Sequence, residues 1–280
     1  LTVLLGQGTG QFVALGPTSV YPGSMKMAVA DFNRDGNTDV MLNGWDGNAY
    51  MLLGNGNGTF LSPRYVSNLT CSDRLIVADV NADGAPDLLD PSNTSGYSLV
   101  LLNRGDGTFE SPIRYAANSS DSNFTSVGYL NGDGVADLVI PDNINGYVKV
   151  LIGKGDGTYL APVQYPTVGT PSRISIADFN SDGIPDLAVA GSGGQIGIMV
   201  GDGSGSFENW GEAVSGLPGV GNLMTTCDCD GDGKVDFLAS ASPSVKFLRG
   251  RGDGTFDDGV EYASIQGQLM FIADLNLDGK

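Results

Sequence analysis

Apolar residues in this chain come in short runs separated by turn-forming residues, and no run keeps a helical period. Between residues 24 and 68, "MKMAVADF" and "DVMLNG" flank an Asp-Gly turn, while "NAYMLLG" and "TFLSPRYV" flank a Gly-rich turn. Runs of about four to eight residues, with turn signals roughly every ten to twelve, predict β-strands. Gly and Asn interrupt every candidate helix, which removes a solenoid of helical pairs. The pattern predicts an all-β chain whose local unit is four antiparallel strands.

That unit is repeated. "ADFNRDGNTDV" (Ala30 to Val40) returns at Ala78, Gly128, Ala177 and Cys227, and in step with it "LLGNGNGTF" (Leu52) has counterparts at Leu4, Leu101, Leu151, Met199 and Leu248. Both motifs advance by about 46 to 50 residues. One four-stranded sheet leaves its faces uncovered, and stacking sheets radially covers them, so the expected fold is a β-propeller of four-stranded antiparallel blades. One domain spans 1–280, with repeats at approximately 21–68, 69–118, 119–168, 169–218 and 219–264, and partial repeats at 1–20 and 265–280. This gives five complete blades plus partial blades at both ends, in a six- or seven-bladed ring. Because the chain opens on Leu1 without Met and closes on a truncated motif, "ADLNLDGK", it is expected to be a processed product or a piece of a longer protein. In an up-and-down blade the Asp-rich and Gly-rich turns share one rim. The opposite rim holds the variable segments "NGWDGN", "DPSNTSGY", "PDNINGY", "AGSGGQ" and "SASPS".

The pattern DxNxDGxxD sets oxygen-bearing side chains at its first, third, fifth and ninth positions, Gly at the sixth for a sharp bend, and a backbone carbonyl at the seventh. Hard oxygen donors without nitrogen or sulfur select calcium over zinc or copper. The candidate ligands are Asp31, Asn33, Asp35, Asn37 and Asp39 in the first loop, and Asp79, Asn81, Asp83, Ala85 and Asp87 in the second. The fourth offers Asp178, Asn180, Asp182, Ile184 and Asp186, and the fifth Asp228, Asp230, Asp232, Lys234 and Asp236. The third has Tyr129 where the first carboxylate belongs, ahead of Asn131, Asp133, Val135 and Asp137, and is expected to bind weakly or stay empty. The truncated copy adds Asp274, Asn276 and Asp278. The expectation is about four to six calcium ions. Asp and Asn also cap hairpin turns without any metal, but the ninth Asp is kept in every complete copy.

These two motifs, recurring in phase over the whole chain, resemble the FG-GAP/VCBS repeats of integrin α-chain propellers and of many secreted bacterial and fungal proteins. The resemblance implies a calcium-stabilised, extracellular propeller, usually seven-bladed. Relatives of this kind serve as adhesion modules, lectins or supporting domains of carbohydrate-active enzymes, and fold alone does not choose among these.

Charge and composition narrow the function. A formal net charge of −18 argues against nucleic acid and anionic membranes, which need basic patches. No stretch approaches the ~18 apolar residues of a spanning helix. Seventeen of the 32 acidic residues sit in the six Asp-rich loops, a crowding that bound divalent ions would relieve. The absence of His removes Ser-His-Asp and Cys-His catalysis and the usual zinc sites. The acids outside the loops, among them Asp46, Asp90, Asp121 and Asp142, show no sign of the pairing a glycosidase needs, so no enzyme is expected. Two RGD strings, at Arg104 and Arg251, fall where the Gly-rich turn already supplies Gly-Asp-Gly. Three cysteines make no framework; Cys227 and Cys229 replace Ala and a large apolar residue of sister repeats, which predicts buried free thiols, with a bridge or a metal pair as the alternatives. Trp45, Asp46, Tyr97 and Tyr147 on the variable rim are candidates for sugar stacking, with packing between blades as the alternative. Sequons occur at Asn57, Asn68, Asn93, Asn118 and Asn123. The leading expectation is an extracellular binding or adhesion module taking a protein or glycan on the rim opposite the calcium loops. A lectin and an accessory domain of a carbohydrate-active enzyme are the alternatives.

Overall fold

The computed structural model describes residues 1–20, 23–44, 46–69, 74–91, 97–116, 125–167, 169–217, 224–241 and 244–262. Among them every regular element is a β-strand, and the strands group into two compact units. The first unit holds a hairpin, β1 (Leu4–Gly6) and β2 (Phe12–Ala14), and two blades. One blade is β3 (Ser24–Ala30), β4 (Asp39–Gly44), β5 (Asn48–Leu52) and β6 (Arg64–Asn68); the other is β7 (Ile76–Ala78), β8 (Asp87–Asp90), β9 (Tyr97–Leu101) and β10 (Ile113–Ala116). The turn Lys154–Thr158 packs with this unit.

The second unit holds three blades. They are β11 (Ser126–Gly128), β12 (Asp137–Asp142), β13 (Tyr147–Leu151) and β14 (Val163–Pro166); then β15 (Pro171–Ala177), β16 (Asp186–Gly191), β17 (Ile196–Gly201) and β18 (Phe207–Val214); then β19 (Met224–Cys227), β20 (Asp236–Ala241), β21 (Ser244–Leu248) and β22 (Val260–Tyr262). In all five sheets the spatial order follows the chain, the meander read from the sequence. The N-terminal partial repeat supplies the two paired strands β1 and β2. The C-terminal partial repeat lies outside the described residues.

Burial explains the patterns. The second strand of a blade is covered on both faces, so β4, β12 and β16 are buried along their whole length and read as near-continuous apolar runs. The fourth strand is an edge, and β22 is exposed throughout. In the first unit Met41, Met51, Leu88 and Leu101 are fully buried in one cluster between the two blades. In the second unit Leu130, Val139 and Leu187 fill one inter-blade core, and Phe179, Phe237 and Leu248 fill the next.

In two repeats the aromatic that ends the Gly-rich turn reaches back to the preceding blade. Phe109 meets Phe32 edge-on with centroids 5.9 Å apart, and Phe256 meets Phe179 at 6.2 Å. Each pair joins the second position of one Asp-rich loop to the turn of the following repeat.

The cysteine expectation is corrected. Cys227 and Cys229 are joined in a disulfide with Cα atoms 5.2 Å apart, Cys227 partly buried and Cys229 exposed. Side chains two residues apart in extended chain project to one side, and that separation is within disulfide reach.

Candidate metal centres

Each Asp-rich loop is built on two demands for unusual backbone, two residues apart. The sixth-position glycines Gly36, Gly84, Gly134, Gly183 and Gly233 have φ of 79–87°. The fourth position is left-handed too, with φ of 55° at Arg34, 57° at Ala82 and 62° at Ser181, where a side chain costs about 1 kcal/mol. Gly132 and Gly231 hold that place in the other two loops.

The loop's own amides gather its oxygens. In the first loop the Asp35 N–H donates to Asp31 Oδ1 at 3.0 Å, Gly36 N–H to Asp31 Oδ2 at 2.8 Å, and Asn37 N–H to Asp35 Oδ1 at 2.8 Å. Asn33 Nδ2 donates to Asp35 Oδ2 at 2.8 Å. The same bonds recur around Asp79, Asn81 and Asp83 with the Ala85 amide, and around Asp178, Asn180 and Asp182 with the Ile184 amide. In the third loop Asn131, Asp133 and the Val135 amide keep their part of the pattern. Tyr129 is exposed and supplies no carboxylate there. A carboxylate has about four acceptor sites, so an oxygen that takes one amide keeps capacity for a cation. In the fifth loop Asp228, Asp230 and Asp236 each bring one oxygen within 4.8 Å of the others. Donor chemistry and spacing fit a hard divalent ion such as calcium. Asp274, Asn276 and Asp278 lie outside the described residues.

The ninth-position Asp has a second role that the motif alone did not reveal. Asp39, Asp87, Asp137, Asp186 and Asp236 are fully buried. Asp39 Oδ2 accepts from the Phe32 amide at 2.9 Å and Oδ1 from the Gly54 amide at 2.8 Å, so one carboxylate ties the Asp-rich loop to the Gly-rich turn. Asp87 does this with Val80 and Asn103, Asp137 with Leu130 and Gly153, Asp186 with Phe179 and Gly201, and Asp236 with Cys229 and Gly250. The signal in the sequence was that the two motifs never lose phase.

Burial pushes Asp87 up to about 6, against the opposing pull of the Asn103 and Val80 amides, and raises Asp137 and Asp186 from the ordinary carboxylate value in the same way. An acid whose folded pKa lies above its unfolded value is stabilised in the fold by protonation, so its charged form costs stability above that pKa. In chelator, lowering the pH from 7.5 to 5 is therefore expected to raise the melting temperature, with Asp87 alone contributing about 1.4 kcal/mol. Thermal melts at the two pH values check this; a lower melting temperature at pH 5 contradicts it.

At the opposite end of the strands, the sequence candidates are placed as follows. Asp46 accepts from the Asn48 amide at 3.0 Å and from Asn48 Nδ2 at 2.6 Å, closing the β4–β5 loop on itself. Tyr147, at the start of β13, is 36% exposed. Tyr97 begins β9, but its side chain and Trp45 lie outside the described residues, as do Asn93, Asn118 and Asn123. Asn68 Nδ2 donates to Asn48 at 3.3 Å. In the Gly-rich turns, at the same end as the Asp-rich loops, Asn57 accepts from the Thr59 amide and hydroxyl at 3.1 and 2.7 Å. Asp106 and Asp253 of the RGD strings cap Thr108 and Thr255 in the way Asn57 caps Thr59. Sequence reasoning missed a buried ion pair, Lys149 Nζ to Asp142 Oδ2 at 2.7 Å, to which Asn145 Nδ2 adds a bond at 2.9 Å.

The FG-GAP-like repeat pattern matches residues 31–89, 79–140, 129–189 and 178–239, one Asp-rich loop at the start and another within each match. No curated protein matches the chain in sequence. Among solved structures, a lectin of Agrocybe aegerita, described as recognising non-reducing terminal N-acetylglucosamine, aligns with a TM-score of 0.69 and 18% identity over 93% of this chain and 73% of its own. A lectin of Burkholderia pseudomallei aligns with a TM-score of 0.68 and 16% identity over 94% and 80%. A protein of Lactobacillus plantarum follows at 0.57 and 13% over 91% and 74%. With its five meander blades, the chain has the β-propeller fold. The matched repeats cover most of its length, and the clamp between the two motifs is repeated in each, so the chain belongs to the FG-GAP-like repeat family.

Proposed function

We propose that this protein is a calcium-stabilised, non-catalytic propeller module that binds glycans outside the cell. The observation that carries the reading is the likeness of fold, over 93% and 94% of the chain, to two lectins. The engaged state of the acids supports binding rather than hydrolysis: Asp142 is held by Lys149, and Asp46 by Asn48. The disulfide between Cys227 and Cys229 supports an oxidising compartment. In each unit the end of the blades that carries the loop between the second and third strands is the proposed ligand face, with Asp46 as a contact in the first unit and Tyr147 in the second.

Asp31, Asn33, Asp35 and Asp39, with their counterparts in the second and fourth loops, would hold the ions. Bound calcium supplies positive charge among carboxylates that otherwise repel one another. With free calcium at a few times Kd, each of three sites adds about 0.8 kcal/mol, so chelation is expected to lower the melting temperature by roughly 4 °C. An unchanged melting curve in chelator overturns the metal reading. A glycan array probed with calcium present tests the ligand. Binding to glycans with terminal sugars is the expected result, and capture of proteins with no glycan bound would overturn it.

A further inference from the structure

The fifth loop departs from the others in two linked places. In loops one to four the third position is Asn, whose Nδ2 donates to the fifth-position carboxylate at 2.8–2.9 Å. In the fifth loop that residue is Asp230, which when ionised has no proton to give. The missing donor arrives from the neighbouring Gly-rich turn. Arg249 Nε lies 2.6 Å from Asp230 Oδ2, and its Nη2 lies 2.8 Å from Asp232 Oδ2. Lys234 Nζ stands 3.7 Å from the same Asp232 oxygen. The place of Arg249 in the other repeats is taken by Leu53, Leu102, Ile152 and Val200, none of which carries charge. Asn to Asp in the loop and an apolar residue to Arg in the turn are thus matched changes.

We propose that Arg249 is the resident cation of the fifth loop, bridging Asp230 and Asp232, so that this loop binds calcium more weakly than the first, second and fourth although it has the most carboxylates. The inference rests on the calcium reading above. A planar guanidinium spans two carboxylates in a fixed fork, and an incoming ion must displace it. Two exposed ion pairs lost on binding weaken the site roughly tenfold. By motif alone the fifth loop would have ranked first.

Two amides report the loops separately. Gly183 N–H donates to Asp178 at 2.8 Å and Gly233 N–H to Asp228 at 3.0 Å, the same place in the fourth and fifth loops. A calcium titration followed by amide NMR is expected to shift Gly233 at roughly tenfold higher calcium than Gly183 in the natural chain. In Arg249→Leu, the residue of the first two complete repeats, the two midpoints should converge. Arg249→Gln, polar at a half-exposed position, gives the same test should the leucine variant fold poorly. Coincident midpoints in the natural chain, or a Gly233 midpoint that neither variant moves, overturn the proposal. Gly183 shifting while Gly233 behaves identically in all three chains sinks this inference alone. If neither glycine responds in any chain, the calcium reading falls with it.

Discussion

Replacing Asp186 with alanine is expected to destabilise the protein by about 5 kcal/mol, measured by urea denaturation in chelator. The substitution removes both acceptors of the clamp and leaves the buried amides of Phe179 and Gly201 without their partner. Each orphaned donor costs about 2–3 kcal/mol when water cannot reach it. Asp202→Ala is the internal control. Its carboxylate caps Ser204 in the turn of the same blade and is exposed, so its loss is expected to cost about 1 kcal/mol. Working in chelator separates the clamp from any ion the same residue holds. Equal losses in the two variants would mean that the ninth-position carboxylate is no more than another turn cap.

Lys149→Met is expected to cost about 4 kcal/mol, because it strands Asp142, buried at 1% exposure, without its counter-charge. Methionine fills the stem's volume, so the loss reports on charge rather than on packing. Burial on its own would raise Asp142, yet the hydrogen bonds from Lys149 and Asn145 outweigh it and hold the carboxyl below the ordinary value. The stability this lends is present above the unfolded carboxylate pKa of about 3.8 and is lost as pH falls through the lowered folded value. Adding Asp142→Asn to Lys149→Met should recover most of the loss, since no unpaired charge then remains. A double variant as unstable as the single one would show that the pair's geometry, rather than its charge, supports the blade.

The fold was legible in the sequence to the level of single strands, because turn chemistry is spelled out by Asp-Gly and Gly-x-Gly at fixed phase. Strand β4 could be read from "DVMLNG" since both its faces are covered. The loops were legible as oxygen cages, but the clamp was not: a ninth-position Asp looks identical whether it faces an ion or an amide fifteen residues away. Lys149 was visible as a cation inside "YVKVL", and only the cross-strand register, with Lys149 opposite Ile140 on β12, brings it near Asp142. The fourth-position backbone was half legible, since Gly132 and Gly231 announced it while Arg34, Ala82 and Ser181 concealed it. Cys227 and Cys229 were misjudged because comparison with sister repeats assumed a shared role for residues whose chemistry lets them bond to each other.

The two ends of each clamp belong to the same blade, as with Phe32 and Gly54 on Asp39. Neighbouring blades are joined by other means, among them apolar cores and the aromatic contacts of Phe109 and Phe256. A duplicated stretch of gene encoding one repeat would therefore carry its clamp intact, and would need flanks that match its neighbours in apolar surface and in the bonds that cross between blades, such as Asn103 Nδ2 to the Phe32 carbonyl and the Gly254 amide to the Phe179 carbonyl. Arrays of this kind can lengthen or shorten by whole copies, and each copy is free to drift at its outer loops without unsettling the hinge of hydrogen bonds that defines it.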